Sequence, residues 1–295
     1  MSADIGLVGA GAMGGAIGTR LLEQGNRLSV YDLDPEKVAD LVRKGATAAS
    51  SAAGAAHGSE FVITSLNSAK VVELAAFGTD GIADGASQGT VIIDMSSIDP
   101  GATRRLAERA RDLDLAWVDS PLSGGAPKAL TGELTLMAGG EASDVEKAHR
   151  VLRHVASNYT HMGPSGAGQT TKLINQVLCG LGFLAVAEAT QLALDAGVDA
   201  QKIPGALKGG RADSALLQEY LPRFATKDYR RTGRIDNMVK DLNAVNDLAR
   251  ATGTSMPMTA LCGEIHRMLM AAGLGGEDQA AVMEFFKGVK KETSA

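Results

Sequence analysis

A glycine-rich turn constrains this chain more than any other feature. Gly9-Ala10-Gly11-Ala12-Met13-Gly14 follows directly on an apolar, strand-like run, Ile5 to Val8, and leads into a helical stretch from about Ala16 to Gln24. GxGxxG between a strand and a helix is the spacing of a doubly wound sheet that receives a dinucleotide. The first glycine permits the tight turn, the second lets a pyrophosphate approach the backbone, and the third lets the helix lie close on the strand. The N–H groups and dipole at the helix N-terminus then favour the anion. Ala10, Ala12 and Met13 complete the loop and count with Gly9, Gly11 and Gly14 as candidate cofactor contacts. Asp32 stands 18 residues after Gly14 and ends a second strand that begins at Leu28. An acid there hydrogen-bonds the adenine ribose hydroxyls and repels a 2′-phosphate, so NAD is expected rather than NADP. Asp34 and Pro35 read as the cap and first residue of the next helix.

The rest of the N-terminal half repeats the strand-then-helix rhythm. Strand-like runs recur at Phe61 to Thr64, Val91 to Ile93, Ala116 to Val118 and Leu134 to Ala138, which predicts βαβ units in a mostly parallel sheet. After Gly163-Pro164-Ser165-Gly166 the strand signals stop and helical spacing takes over. The chain of 295 residues is therefore read as α/β. A Rossmann-type domain over residues 1–162 precedes an all-helical domain over 163–295, linked by one long interdomain helix. Helices are expected from about Gln169 to Ala196, Ala200 to Lys208, Ala215 to Phe224, Asp236 to Ala251, Met258 to Met270 and Asp278 to Lys287. The longest uncharged apolar stretch, Leu173 to Val186, is shorter than the ~20 residues of a membrane span and reads as a buried helix.

Composition narrows the partners. With 29 Lys and Arg against 34 Asp and Glu the net charge is −5, which argues against nucleic acid or an anionic membrane. Arg223, Lys227, Arg230, Arg231 and Arg234 form a local basic run, expected to be a solvated connection. Five histidines without metal-ligand spacing and two distant cysteines, Cys179 and Cys262, imply no metal site and no disulfide framework. No secretory leader is visible before Ile5, and a cytoplasmic protein is expected.

Two further segments carry a resemblance. Asp119-Ser120-Pro121-Leu122-Ser123-Gly124-Gly125 follows a predicted strand, and Gly166-Ala167-Gly168-Gln169-Thr170-Thr171-Lys172-Leu173-Ile174-Asn175-Gln176 opens the long helix. Together with the glycine loop and Lys240-Asp241-Leu242, in this order, they resemble the β-hydroxyacid dehydrogenase family, which includes 3-hydroxyisobutyrate dehydrogenase and tartronate semialdehyde (2-hydroxy-3-oxopropionate) reductase. The resemblance covers nearly the whole chain. It implies hydride transfer between NAD(P) and a short β-hydroxy acid or its semialdehyde, most like that of 2-hydroxy-3-oxopropionate (tartronate semialdehyde) reductase, with the site in a cleft between the domains and a homodimer or homotetramer built through the helical domain.

Interconverting a hydroxy acid and its carbonyl form requires a hydride partner, a group that exchanges the hydroxyl proton, and an anchor for the carboxylate. The resemblance gives the anchor to Ser123, Gly124 and Gly125, whose glycines let backbone N–H groups converge. It gives acid/base chemistry to Lys172 and a supporting amide to Asn175, three residues on along the same helical face. Many members carry two consecutive asparagines here; Asn175-Gln176 is the form associated with the tartronate semialdehyde reductase branch. Ser96, with Ser97, matches the segment that reaches the nicotinamide ribose, Ser65 and Leu66 border the adenine side, and Lys240 lies near nicotinamide or substrate with Asp241 supporting it. Arg211, in Gly209-Gly210-Arg211-Ala212-Asp213-Ser214, occupies a place where relatives commonly carry an apolar residue; it would grip a second anionic group on a larger, more acidic substrate. The alternatives are a 3-hydroxyisobutyrate dehydrogenase, or a noncatalytic NAD-binding scaffold, which should have lost the lysine or the glycine pair. Imine reductases typically replace the lysine, and 6-phosphogluconate dehydrogenase has a much longer helical domain.

Overall fold

A computed structural model describes residues 2–286. Its nine strands are β1 (Asp4–Val8), β2 (Arg27–Tyr31), β3 (Thr47–Ala48), β4 (Phe61–Thr64), β5 (Val91–Asp94), β6 (Ala116–Asp119), β7 (Leu122–Ser123), β8 (Leu134–Gly139) and β9 (Ala156–Gly163). The helices between them are α1 (Ala12–Glu23), α2 (Pro35–Val42), α3 (Ala52–Ala56), α4 (Ala69–Phe77), α5 (Ile82–Gly85), α6 (Pro100–Arg111), α7 (Gly125–Thr131) and α8 (Ala142–Leu152). There follow α9 (Ala167–Asp195), α10 (Ile203–Leu207), α11 (Ala215–Thr226), α12 (Ile235–Thr252), α13 (Pro257–Ala271) and α14 (Met283–Phe286).

The chain divides into two compact units, one up to Lys172 and one from Leu173. In the first, the strands form one sheet in the order β3-β2-β1-β4-β5-β6-β8-β7, with β9 paired to β8. β3, β2, β1, β4, β5 and β6 run parallel, and β8 turns antiparallel to β6 and β7. Every residue of β4 and β5 is buried, as a sheet covered on both faces requires. The alternation is visible in the packing. Ile5, Leu7, Phe61, Ile63, Val91, Ile93 and Val118 point towards α1, α2 and α8, whereas Val8, Val62, Ile92 and Trp117 point towards α3, α4, α5 and α6. The second unit has its own core, in which Phe183, Val186 and Ala187 of α9 pack with Leu217, Tyr220, Leu221 and Phe224 of α11 and with Leu242 and Cys262.

Several expectations need correction. The helix after the glycine turn starts at Ala12, four residues early, because the turn itself supplies its first residues. β3, β7 and β9 carried no usable signal: two are only two residues long, and β9 alternates polar residues such as Asn158 and Thr160 that stay exposed. The expected Ala200–Lys208 helix is a 3₁₀ turn, Ala200–Lys202, followed by α10. The expected Asp278–Lys287 helix is likewise a 3₁₀ turn, Gln279–Val282, followed by α14; its last residue, Lys287, lies outside the described residues. Arg223 is no solvated charge. It stacks 4.7 Å over the Tyr220 ring and pairs at 2.9 Å with the fully buried Asp278, whose carboxylate also accepts from the N–H groups of Thr232 and Gly233. Finally, α9 is not a buried helix: only 33% of its most apolar stretch is buried, and Ile174, Leu178 and Leu192 are exposed.

Candidate active site

In the first unit the glycine loop is built by close approach. Gly9 takes φ +96° and its N–H donates to the Tyr31 carbonyl at 2.9 Å. A Cβ there would stand 2.4 Å from the Ser65 carbonyl oxygen, and a Cβ on Gly14 would stand 1.9 Å from that of Gly9. Gly11 is different: its φ is −61°, it serves as N-cap of α1 without any side-chain cap, and a Cβ would meet nothing within 4 Å. Internal packing accounts for Gly9 and Gly14. Internal packing does not account for Gly11, and the open space beside it, at the uncapped N–H groups of α1, leaves room for an external anion. The loop thus fits the pyrophosphate of a dinucleotide.

Asp32 lies one residue beyond β2 with its side chain 14% exposed. Its Oδ2 accepts from the Ala10 N–H at 2.7 Å and its Oδ1 from the Asp34 N–H at 2.8 Å, with Lys37 Nζ at 3.9 Å. The carboxylate therefore ties the glycine loop to the end of β2, and each oxygen retains a lone pair for a further donor. Asp34 caps α2 through the Glu36 N–H, with Pro35 in the first turn.

Ser65, Leu66 and Ser96 come together beside this loop. The Leu66 side chain and Ser65 carbonyl crowd Gly9, and the Leu66 N–H donates to Ser96 Oγ at 2.9 Å. Ser96 is 3% exposed, so its hydroxyl serves first as an internal link between strand ends. Beneath it lies a buried polar layer. Asp94 Oδ1 accepts from Thr64 Oγ1 at 2.8 Å and the Ser96 N–H at 3.0 Å, while Oδ2 finds no partner among the described residues. Burial pushes the Asp94 carboxyl up to about 6.

The next strand supplies Asp119, fully buried, whose pKa burial also raises. Its Oδ1 accepts from the Gly166 N–H at 2.8 Å and its Oδ2 from the Gln169 N–H at 2.9 Å. A carboxylate from β6 thereby caps the start of α9. The Gln169 side chain fastens the same turn, donating to the Ser96 carbonyl at 2.7 Å and accepting from the Ile98 N–H at 3.2 Å. Lys172, half-buried, stands three residues further along α9. Asp94, Asp119 and Gln169 carried no assigned role in the sequence, although the last two fall inside the quoted motifs; their partners lie up to 73 residues away. Ser123 ends β7, and Gly124 and Gly125 turn the chain into α7 with φ of +123° and +72°. A Cβ on Gly124 would stand 2.8 Å from Lys128 Cδ. α7 has no side-chain cap.

In the second unit, Asn175 Nδ2 donates to Gln176 Oε1 at 2.9 Å and to Cys179 Sγ at 3.6 Å. Gln176 Nε2 donates to Asp241 Oδ2 at 2.6 Å, and Asp241 Oδ1 lies 3.7 Å from Lys240 Nζ. Asn175, Gln176, Lys240 and Asp241 are thus one polar chain. Arg211 is exposed in the turn before α11, apart from this chain of contacts.

A doubly wound parallel sheet with an uncapped glycine turn after its first strand fits a dinucleotide-binding protein. The comparisons with known proteins narrow this. The family model described as the NAD binding domain of 6-phosphogluconate dehydrogenase matches residues 4–163, and that described as NAD-binding of NADP-dependent 3-hydroxyisobutyrate dehydrogenase matches residues 166–286. L-threonate dehydrogenase of Cupriavidus necator is 33% identical over 291 residues, covering 98% of each chain. The 2-hydroxy-3-oxopropionate reductase of Escherichia coli is 32% identical over 281 residues, covering 95% of this chain and 96% of its own. Among solved structures, 3-hydroxyisobutyrate dehydrogenase of Mycobacterium tuberculosis with L-serine superposes with a TM-score of 0.89 at 27% identity, covering 98% of this chain and 100% of that one. The chain belongs to the β-hydroxyacid dehydrogenase family and is an NAD(P)-dependent hydroxyacid dehydrogenase.

Proposed function

We propose that the protein interconverts a short, hydroxylated β-hydroxy acid of three or four carbons with its semialdehyde or keto form, that it prefers NAD, and that Lys172 exchanges the proton. The observation that carries the reading is the fastening of the α9 N-terminus: Asp119 and Gln169 fix the turn from which Lys172 projects. When bound, the nicotinamide supplies the hydride acceptor or donor. Gly9 to Gly14 hold the pyrophosphate, Asp32 accepts from ribose hydroxyls, and Ser65, Leu66, Ser96 and Lys240 complete the cofactor contacts. In reduction, the Lys172 ammonium donates its proton to the carbonyl oxygen; in oxidation, the neutral amine takes the hydroxyl proton. Ser123, Gly124 and Gly125 receive the carboxylate through backbone N–H groups and a hydroxyl, and Asn175 supports the proton exchange at the reacting hydroxyl.

NAD is favoured because Asp32 Oδ1 and Oδ2 are both held in place by backbone N–H groups, so a 2′-phosphate would meet a carboxylate that cannot swing away. Small hydroxylated acids are those named for relatives such as L-threonate dehydrogenase and 2-hydroxy-3-oxopropionate reductase. Ile174, Leu178 and Leu192 of α9, with Met258, Leu261 and Met268 of α13, supply the apolar surface of a homo-oligomer.

The test follows NADH and NADPH absorbance with L-threonate, L-serine, 3-hydroxyisobutyrate and D-glycerate, using wild type beside Lys172→Ala. Turnover with NAD of at least one acid, lowered 10²-fold or more in the variant, is expected. Undiminished turnover in Lys172→Ala removes the lysine from the chemistry, and a preference for NADPH overturns the role of Asp32. Arg211→Ala belongs in the same assay: an unchanged KM for every acid removes Arg211 from the substrate contacts.

A further inference from the structure

The chain of side chains in the second unit has a direction, and that direction determines what Asn175 can offer. A carboxylate only accepts hydrogen bonds. Asp241 therefore obliges Gln176 to turn its NH₂ towards it, at 2.6 Å. With Nε2 so committed, the other end of the Gln176 amide, Oε1, faces Asn175 and accepts from Asn175 Nδ2 at 2.9 Å. The same Nδ2 also donates to Cys179 Sγ at 3.6 Å, so both hydrogens of the Asn175 amide are engaged. What remains on that amide is the acceptor, Oδ1.

We infer that Asp241 and Gln176 are positioning residues that fix the polarity of Asn175, so that Asn175 meets the reacting groups as a hydrogen-bond acceptor and not as a donor. The inference rests on the proposed role of Asn175 at the reacting oxygen. An acceptor there takes a proton-bearing partner, the substrate hydroxyl or the ammonium of Lys172, and offers nothing to a bare carbonyl oxygen. Gln176 is 9% exposed and Asp241 is 9% exposed, so water competes little for either link. The glutamine that follows Asn175 is then no idle variation. Its longer side chain bridges Asn175 to a carboxylate 65 positions away.

The polarity argument predicts a rescue. Gln176→Glu places two carboxyl groups at one short contact, and the relay survives only while a proton is shared between them. Gln176→Glu with Asp241→Asn restores the order, because the new amide donates to the new carboxylate, which still accepts from Asn175. With the fastest of the four acids as probe, kcat of Gln176→Glu is expected to fall at least tenfold at pH 8 and to recover as pH is lowered, a limb absent from wild type. The double variant should return to within threefold of wild type with that limb gone. Side-chain amide ¹⁵N resonances of Asn175, assigned by their loss in Asn175→Asp, should move in Gln176→Glu and return in the double variant, which reads the relay without turnover. A double variant no better than Gln176→Glu, or resonances that do not move, overturns the inference. Should Gln176→Glu fail to fold, Asp241→Asn decides alone. It removes the charge, with its 3.7 Å contact to Lys240, and turns an obligate acceptor into an amide that can face either way; it is expected to lower kcat three- to tenfold and displace the Asn175 resonances, and an unchanged rate with unchanged resonances overturns the relay. Lys172→Ala separates the two readings: undiminished turnover there defeats the proposed chemistry, whereas the amide resonances judge the relay by themselves.

Discussion

At the scale of single residues, the loop glycines differ in what a methyl group would cost them. On Gly14 it would collide with the Gly9 carbonyl oxygen at 1.9 Å, and both partners are backbone, so relief requires moving α1 off β1. On Gly11 it enters open space at a backbone φ of −61° that any residue tolerates. Gly14→Ala is therefore expected to destabilise the fold by about 3 kcal/mol or more, in the range of severe overpacking. Gly11→Ala should leave the thermal midpoint unchanged, or raise it slightly, while raising the KM for the dinucleotide severalfold. Thermal melts beside cofactor titrations check the pair; a Gly11→Ala protein that binds the dinucleotide like wild type would leave Gly11 without its explanation. The motif gives the loop and the separate parts of its glycines in the sequence; what it does not give is the neighbour that crowds Gly9, the carbonyl of Ser65, which arrives from the end of another strand.

The elements were legible where one chemical pattern spans them and illegible where the pattern depends on distant partners. β4 appears in the sequence with its observed bounds because a both-faces-buried strand is a continuous apolar run. β7 and β3, of two residues each, have no period to read. The sequence puts the start of α9 two residues late, at Gln169 against Ala167, because its cap is Asp119, 47 positions upstream of Gly166, and not a local Ser, Thr or Asp. The layer formed by Thr64, Asp94, Ser96, Asp119 and Gln169 joins β4, β5, β6 and α9, and it titrates. Asp94 is raised from 3.8 to about 6, chiefly by burial, so the folded state holds that proton more tightly than the unfolded chain. Stability contributed by this group is full below pH ~4 and is lost as pH rises through about 6. Two pH units of difference correspond to roughly 3 kcal/mol as an upper bound. Subtracting the denaturation free energies of Asp94→Asn from those of wild type should give a difference that drifts against wild type between pH 4 and 7. The amide keeps an acceptor for Thr64 and Ser96, and a difference that stays flat with pH would mean that Asp94 is not protonated there.

For the whole molecule, the apolar composition of α9 exceeds what its own unit needs. One side of the helix, Phe183, Val186 and Ala187, fills the helical core, while Leu178 and Leu192 are each 69% exposed and Ile174 is 55% exposed. Ile174 and Leu192 are 18 residues apart, which is five turns at 3.6 residues each, and Leu178 follows Ile174 by four, so the three form one stripe. Met258, Leu261 and Met268 form another along α13 at 65%, 58% and 54% exposure. The charge-free run reads as core in the sequence because composition cannot distinguish a helix buried by its own chain from one covered by another. A stable interface removes about 800 Å² from each partner, more than isolated exposed leucines supply. Wild type is expected to sediment as a dimer or larger at micromolar concentration. Leu178→Lys with Leu192→Lys should shift it to the monomer, since like charges at two positions of the stripe must be desolvated on association. The two positions are outside the core of the unit, so the variant's monomer should retain its helical signal. A wild-type protein that sediments as a monomer at every concentration would leave the stripe unexplained and remove the oligomer from the proposal.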